Sequence, residues 1–391
     1  MSDAPPKIIL VGNYENDRQQ SMLRFAEMLG SELRKLGIEV ETIRPRPFFG
    51  LLKRGSTGLG KWLGYLDKFL VFPIELKRVV ANAGSNTIVH ICDHSNAFYT
   101  RYLQKIPHLV TCNDLLAVRS AAGEFPQNPM GWTGKKLQQW ILRGLCGARR
   151  ITCISTATRD DLLRFLPEKK SVCDVTLMGL NPCFTPMPKI AALEKIRALT
   201  GNAESFVLHV GGNQWYKNRI GVLEIFASLS SDIPDTKLVM VGPPHNAEMS
   251  DFFEKNPRLA AQIITCSDVD NETLRALYFC AALLLFPSLE EGFGWPIIEA
   301  QACGCRVITT GKLPMTEAGG DAAFYIAQTP RYSQPGVWAK TAAEEVRRIL
   351  AQDETERTES MARGLENAAR FSASEMAHRY VAIYRELLYK P

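Results

Sequence analysis

The sequence shows no closely paired cysteines of the CxxC kind, no signal-peptide pattern and no membrane-length apolar run. Ten cysteines occur in 391 residues, but none forms a CxxC pair and none has a histidine at metal-ligand spacing. Neither a disulfide framework nor a zinc site is indicated, and a reducing, cytoplasmic setting is expected. Cys303 and Cys305 flank Gly304 in apolar surroundings, which suits small packing residues better than a redox pair. The opening MSDAPPKIILVG moves from a short polar lead into a strand-like run, without the basic and then apolar pattern of a signal peptide. The most apolar window, Leu277 to Pro287, is too short to span a bilayer as a helix. No strand-like run is followed by GxGxxG, because VGNYEN and VGGNQW both depart from it, and this argues against a nicotinamide dehydrogenase.

What is present is an ordinary globular composition, 46% hydrophobic and 22% charged, in a chain long enough for two domains with full cores. Charge is divided unevenly. Residues 1–185 carry 25 Lys and Arg against 16 Asp and Glu, a net +9, whereas residues 186–391 carry 21 against 25, a net −4. The first half is therefore expected to meet something anionic. Its basic residues concentrate in 48–80 and 131–150, where Lys and Arg alternate with Trp, Phe and Leu. That mixture fits a helix lying in a membrane interface. It equally fits an amphipathic helix packed on its own domain. In the first reading Lys53, Arg54, Lys61 and Lys68 sit on headgroups, while Trp62, Tyr65 and Phe69 insert.

Apolar, β-branched runs alternate with longer amphipathic ones. KIILVG, IEVETIRP, NTIVHIC, HLVTCND and RRITCIS read as strands of the first half. After the proline-rich NPCFTPMP the rhythm restarts with SFVLHVGG, KLVMVGPP, QIITCS, LLLFPS, RVITT and AAFYIA. Strands separated by helices form right-handed parallel units. The expected fold is α/β, with two Rossmann-like doubly wound domains facing across a cleft. Their expected bounds are 1–185 for the acceptor and 186–370 for a nucleotide sugar, with a helix over 371–391 that could pack back on the first domain.

Ligands of open parallel sheets bind outside the carboxyl ends of the strands. After VLHV comes GGNQWYKN, a glycine turn with Gly212 followed by Lys217 and Arg219. After LLLFPS comes EEGFGWP, where Gly292 and Gly294 free backbone N–H groups and Pro296 suits a first helical position. A helix N-terminus, glycine turns and a lysine together describe a diphosphate site. Glu291 and Glu299 lie eight positions apart. A carboxylate beside a diphosphate is repelled, so these two are expected to accept hydrogen bonds from neutral hydroxyls at opposite ends of one ligand, a sugar and a ribose. The ligand implied is a nucleotide sugar, and Glu290 is expected to face solvent.

At these residues the chain resembles the retaining glycosyltransferases of family 4, which have the GT-B architecture. The likeness is sharpest in FPSLEEGFGWPIIEAQACGCRVITT and PMTEAGGDAAFYI, which carry the E-x7-E segment. The resemblance implies a metal-independent enzyme with no cofactor, the nucleotide sugar being a substrate. It assigns Glu291 to hydroxyls of the donor sugar, Glu299 to the ribose, and Lys217 with the amides of Gly292, Phe293 and Gly294 to the diphosphate. Gly12 would meet the donor phosphate or the acceptor, and His94 would lie near the transferred sugar. Two departures stand out: Gly212 occupies a position where the family commonly has arginine, leaving Arg219 as the nearest substitute, and Asn113 stands where relatives often carry histidine. Asn113 and Asp114 are candidate donor or acceptor contacts. His90 and His209 read as core or supporting residues. No protein nucleophile stands out, although Glu291 and Asp93 are chemically able. Asp268 and Asp270 spell DxD but precede NETLRAL, so helix caps are the better reading.

The implied reaction moves a hexose, UDP-glucose-like in preference to GDP-mannose, onto a saccharide or lipid-linked saccharide with retention, in polysaccharide or glycolipid synthesis. Peripheral contact with the anionic inner face of a membrane is a further expectation, and nucleic acid is not an expected partner. The alternatives are a nucleotide-sugar epimerase of the same layout and a non-catalytic nucleotide-sugar-binding protein.

Overall fold

The computed structural model describes residues 5–17, 20–51, 58–201, 203, 206–230, 235–329 and 335–389. The chain folds as two units. One comprises residues 1–179 together with 373–391, and the other residues 180–372.

The first unit is built on a parallel sheet of β1 (Lys7–Val11), β2 (Val40–Ile43), β3 (Thr87–Ile91), β4 (His108–Cys112), β5 (Arg150–Cys153) and β6 (Cys173–Val175), in the order β2-β1-β3-β4-β5-β6. The central strands β3 and β4 are buried at every position, which explains their aliphatic content and requires partners for the polar residues they carry. The sixth strand was not expected from the sequence. Its three half-buried residues, CDV, carry neither the length nor the apolar density that marks the others, and only pairing with β5 defines it.

The second unit holds β7 (Phe206–Val210), β8 (Lys237–Val241), β9 (Ile263–Cys266), β10 (Leu283–Phe286), β11 (Val307–Thr310) and β12 (Phe324–Ile326), ordered β12-β11-β10-β7-β8-β9 and again all parallel. Each sheet reverses direction of assembly at one place, between β1 and β3 in the first and between β7 and β10 in the second. Those are the positions where a doubly wound sheet opens a crevice for ligand.

The chain passes into the second unit at Gly179–Leu180 and returns at Ser372–Ala373. The closing helix Ala373–Tyr389 packs in the first unit beside the helix Gln20–Lys35. A buried polar chain fastens it to the sheet. Tyr384 Oη lies 2.7 Å from His90 Nδ1, His90 Nε2 lies 2.7 Å from Thr111 Oγ1, and Thr111 Oγ1 lies 3.0 Å from Tyr380 Oη. Burial pushes His90 down to about 3, so it stays neutral and serves as a supporting residue. Among the described residues no helix is long and apolar enough to cross a membrane.

Candidate active site

In the second unit, the loops after β7 and β10 meet at the switch point. Lys217 closes the short turn Trp215–Lys217, and its Nζ donates to both carboxylate oxygens of Glu291 at 2.7 and 2.9 Å. The same ammonium stands over the rings of Phe286 and Tyr216, 5.2 and 5.6 Å from their centroids. Two residues separated by 74 positions are thus one charged unit. Its side chains are 17% and 7% exposed, dry enough for the pairing to matter.

Arg219, the first residue of the helix Arg219–Leu229, is 5% exposed. Its Nη1 donates to Asn213 Oδ1 and to the Pro243 carbonyl, whereas Nε and Nη2 are buried with no partner. Burial pulls its pKa down from the usual arginine range. A buried guanidinium with two unanswered donor nitrogens is costly, and an anion would satisfy it. Five other buried polar atoms without partners also stand at or next to carboxyl ends of strands: Ser288 Oγ and Thr310 Oγ1 after and at the end of β10 and β11, His209 Nε2 in β7, Thr152 Oγ1 in β5, and Asn113 Oδ1 after β4.

The backbone of these turns is shaped by close approach. A Cβ on Gly242 would lie 2.1 Å from the Gly211 carbonyl oxygen, and one on Gly211 would lie 2.9 Å from His209 Nε2. Gly294 has φ +110° and caps the helix Trp295–Ala302, with Pro296 in its first turn. That left-handed conformation turns the chain into the helix at a place where a side chain would be strained. Gly292 stands in the same turn. Phe293 contributes differently: its ring is buried against Phe371, with centroids 5.6 Å apart, so only its backbone is available to a ligand.

Glu299 lies one and a half turns into that helix, 7% exposed, and its Oε2 accepts from Tyr278 Oη at 3.0 Å. Tyr278, fully buried in the helix Asn271–Cys280, was not singled out by the sequence; an aromatic in an apolar helix gives no sign of a partner 21 residues away. Glu290 overturns the solvent-facing expectation. It is 3% exposed and ion-paired with Lys312, beyond the end of β11. The next loop along the sheet supplies the counter-charge, which no local pattern could announce. Burial pushes His209 down to about 4, and its Nδ1–H donates to the Leu285 carbonyl at 3.0 Å. Asp270 accepts from the Thr273 amide at 2.7 Å as the N-cap of Asn271–Cys280.

A second polar cluster occupies the switch point of the first unit. Asp93, after β3, is 2% exposed and accepts from Asn13 Nδ2 at 2.6 Å, Asn113 Nδ2 at 3.1 Å, the Ser95 amide at 3.2 Å and the Ser95 hydroxyl. His94 Nδ1 lies 3.1 Å from Asp93 Oδ1. Asn13, hidden in an unremarkable VGNYEN turn, also accepts from Asn96 at 3.1 Å. The Gly12 amide donates to the Ile43 carbonyl at 2.9 Å and extends the sheet. Burial opposes charge on His94, but the Asp93 carboxylate outweighs it and holds the imidazole above its ordinary value. Burial would likewise raise Asp93, yet His94 and its other donors hold it well below the carboxylate range.

The sign of the resulting pH dependence follows. A raised histidine contributes stability that is fully present below its unfolded value of 6.5 and is lost as pH rises through the higher native value. Thermal stability should therefore fall as pH rises above 6.5 and through the higher native value, with a flatter profile in His94→Gln. Identical profiles in melting experiments would remove His94 as the group responsible.

Comparison with known proteins identifies the architecture. Residues 22–174 match the model described as "Glycosyltransferase Family 4", and residues 194–367 match "Glycosyl transferases group 1". This chain is a GT-B glycosyltransferase of the family 4 type. The O-antigen chain mannosyltransferase B of Escherichia coli is 22% identical over 296 residues, which is 75% of this glycosyltransferase and 74% of the relative. Among solved structures, the sucrose-phosphate synthase of Thermosynechococcus elongatus superposes with a TM-score of 0.74 at 20% identity, covering 98% of this chain and 99% of the other. The Anabaena protein Alr3699/HepE, solved in complex with UDP, gives 0.68 at 13% identity, covering 97% and 100%. These structural likenesses concern the glycosyltransferase fold.

Proposed function

We propose that this glycosyltransferase moves a hexose from a nucleoside-diphosphate sugar to a saccharide or lipid-linked saccharide, with retention of configuration. The observation that carries the reading is the set of cationic and N–H groups at the second switch point: Lys217, the unanswered donors of Arg219, and the start of Trp295–Ala302. Arg219 supplies the guanidinium that the family places at the Gly212 position. In the reaction, the acceptor oxygen bonds to the anomeric carbon on the face from which the diphosphate departs. The bond from that carbon to the diphosphate oxygen breaks, and the departing oxygen takes the acceptor proton. Lys217, Arg219 and the helix N-terminus stabilise the charge that gathers on the leaving group, a type of preorganisation worth several kcal/mol. Glu291, held by Lys217, orients sugar hydroxyls, and Glu299, held by Tyr278, takes the ribose. The acceptor falls to the first unit, where His94 and Asn113 stand.

UDP-glucose is the favoured donor, in line with the UDP bound by Alr3699/HepE. GDP-mannose is the second reading, favoured by the mannosyltransferase relative. Incubation with each donor, with and without EDTA, tests the class of reaction. Slow release of nucleoside diphosphate and free sugar, undiminished by EDTA, is the expected outcome, because Lys217 and Arg219 do the work of a metal. Conversion of the donor to an isomeric nucleotide sugar would assign an epimerase. Loss of turnover with EDTA and recovery with Mn²⁺ would transfer the diphosphate to a metal site.

A further inference from the structure

The two basic, aromatic stretches of the first unit come together in one surface. Gly58–Leu66, the π-helical turn Asp67–Val71 and Phe72–Ala81 form an unbroken helical run. Along it Trp62, Leu66, Leu70 and Ile74 are 62%, 38%, 59% and 55% exposed. They are spaced four apart. In an α-helix such a spacing drifts by about 40° per step. The wider π turn, closed from i to i+5, falls behind by a similar angle and brings the four back into line. Tyr65 and Phe69, expected at a membrane from the sequence, are half-buried: the Tyr65 ring lies 5.8 Å from Trp62 and 5.6 Å from Phe69, and Phe69 packs on Phe98 at 4.7 Å and on Trp140 at 6.1 Å. Lys68 is held by Asp17 at 2.8 Å. Lys53 and Arg54 lie outside the described residues, as does the side chain of Lys61.

The stripe is anchored by a buried charge. Asp67, inside the π turn, is fully buried and accepts from Tyr14 Oη at 2.9 Å and from the amides of Phe48, Phe49 and Gly50 at 3.2, 2.8 and 3.0 Å. A Cβ on Gly50 would lie 2.2 Å from Tyr14 Oη. The clamp fixes the preceding loop, which presents Phe48 and Leu51 at 66% and 60% exposure. The neighbouring helix Trp132–Cys146 adds Trp132 and Trp140 at 72% and 50%. Among the described residues, eight of the 15 exposed large hydrophobics therefore fall on this one part of the first unit, a concentration that soluble surfaces rarely carry without a partner.

Charge selects the partner. Lys77, Arg78, Lys135, Lys136 and Arg143 are exposed on the same two helical segments, whose only acids are the buried Asp67 and the half-buried Glu75. A second copy docked face to face would oppose these cations to themselves. Anionic headgroups would neutralise them, while tryptophans and aliphatic side chains reach the acyl boundary. We propose that this face lies on an anionic phospholipid surface, with the Trp62–Leu66–Leu70–Ile74 stripe inserted and the Asp67 clamp holding Phe48 and Leu51 beside it. The proposal rests on the lipid-linked acceptor reading only for its purpose, since binding is measured without substrate.

The full chain is sedimented with vesicles of mixed phosphatidylcholine and phosphatidylglycerol, and with phosphatidylcholine alone, across a salt series. Binding to the mixed vesicles, weakened by salt, is expected. Leu70→Glu with Ile74→Glu should reduce it on the order of tenfold or more at every salt concentration. Lys135→Glu with Lys136→Glu should shift release to lower salt. Both pairs are exposed, so melting temperatures should hold; Trp62→Glu provides an independent variant of the stripe. Equal sedimentation with both vesicle types at low salt, or wild-type binding by the stripe variants, overturns the proposal. A dimer in light scattering that the stripe variants dissociate also overturns it and gives the face to a second copy. Thermal stabilisation by UDP and GDP, measured on the same proteins, reports the donor site separately. Its presence without vesicle binding defeats the docking surface alone.

Discussion

Glu299→Ala is expected to weaken binding of the nucleoside diphosphate by about 10- to 100-fold, the worth of hydrogen bonds to a charged group. Glu291→Ala should instead leave that affinity intact or improve it, while transfer falls on the order of a thousandfold. The asymmetry follows from what each carboxylate touches. Glu299 is braced by a neutral phenol, so its removal takes away a ligand contact and strands the Tyr278 hydroxyl. Glu291 is braced by Lys217 at 2.7 Å, so its removal frees an ammonium to meet phosphate more strongly. Calorimetry with UDP and GDP alongside a transfer assay separates the two. Equal losses of nucleotide affinity in both variants would end the division of labour between sugar and ribose.

Arg219→Met should produce effects of opposite sign in the free and the loaded protein. In the free protein it removes a buried cation with two unpartnered donor nitrogens, so the melting temperature should hold or rise. With nucleotide, the stabilisation given by ligand at a hundred times its dissociation constant, roughly 2.7 kcal/mol in the wild type, should largely vanish. Turnover should fall by about 100- to 1,000-fold if the guanidinium meets the leaving phosphate. A nucleoside lacking phosphates separates the causes, since its binding should be unchanged. A variant that melts lower and binds nucleotide normally would make Arg219 a structural anchor of Asn213 and Pro243.

The fold was legible where periodicity is strong. Among the described residues, eleven of the 12 strands read directly, because buried parallel strands are dense in β-branched and aliphatic residues. The edge strand β6 escaped because half-buried residues on a short edge carry no such density. At the site, Glu291, Glu299 and Lys217 stood out as residue types after glycine turns at strand ends. Their bracing was invisible: Tyr278 behind Glu299, Lys312 on Glu290, and Asn13 with Asn113 on Asp93 are contacts over 20 to 80 residues.

The sequence by itself determined the two βα rhythms, the glycine turns that follow β7 and β10, and the pair of glutamates eight apart, because each depends on local spacing and backbone freedom. It also determined that the basic stretches mix cations with aromatics. Which of those aromatics face out was decided only by the tertiary structure. The π turn at Asp67 reset the helical phase, and packing against Phe98 and Trp140 drew Phe69 inward, leaving Trp62, Leu66, Leu70 and Ile74 outside. Charge was decided in the same way. Lys68, Glu290 and Glu291 look alike as exposed ions in a sequence, but each found a counter-ion on another segment, because a charge removed from water is tolerated only when folding brings its partner to it.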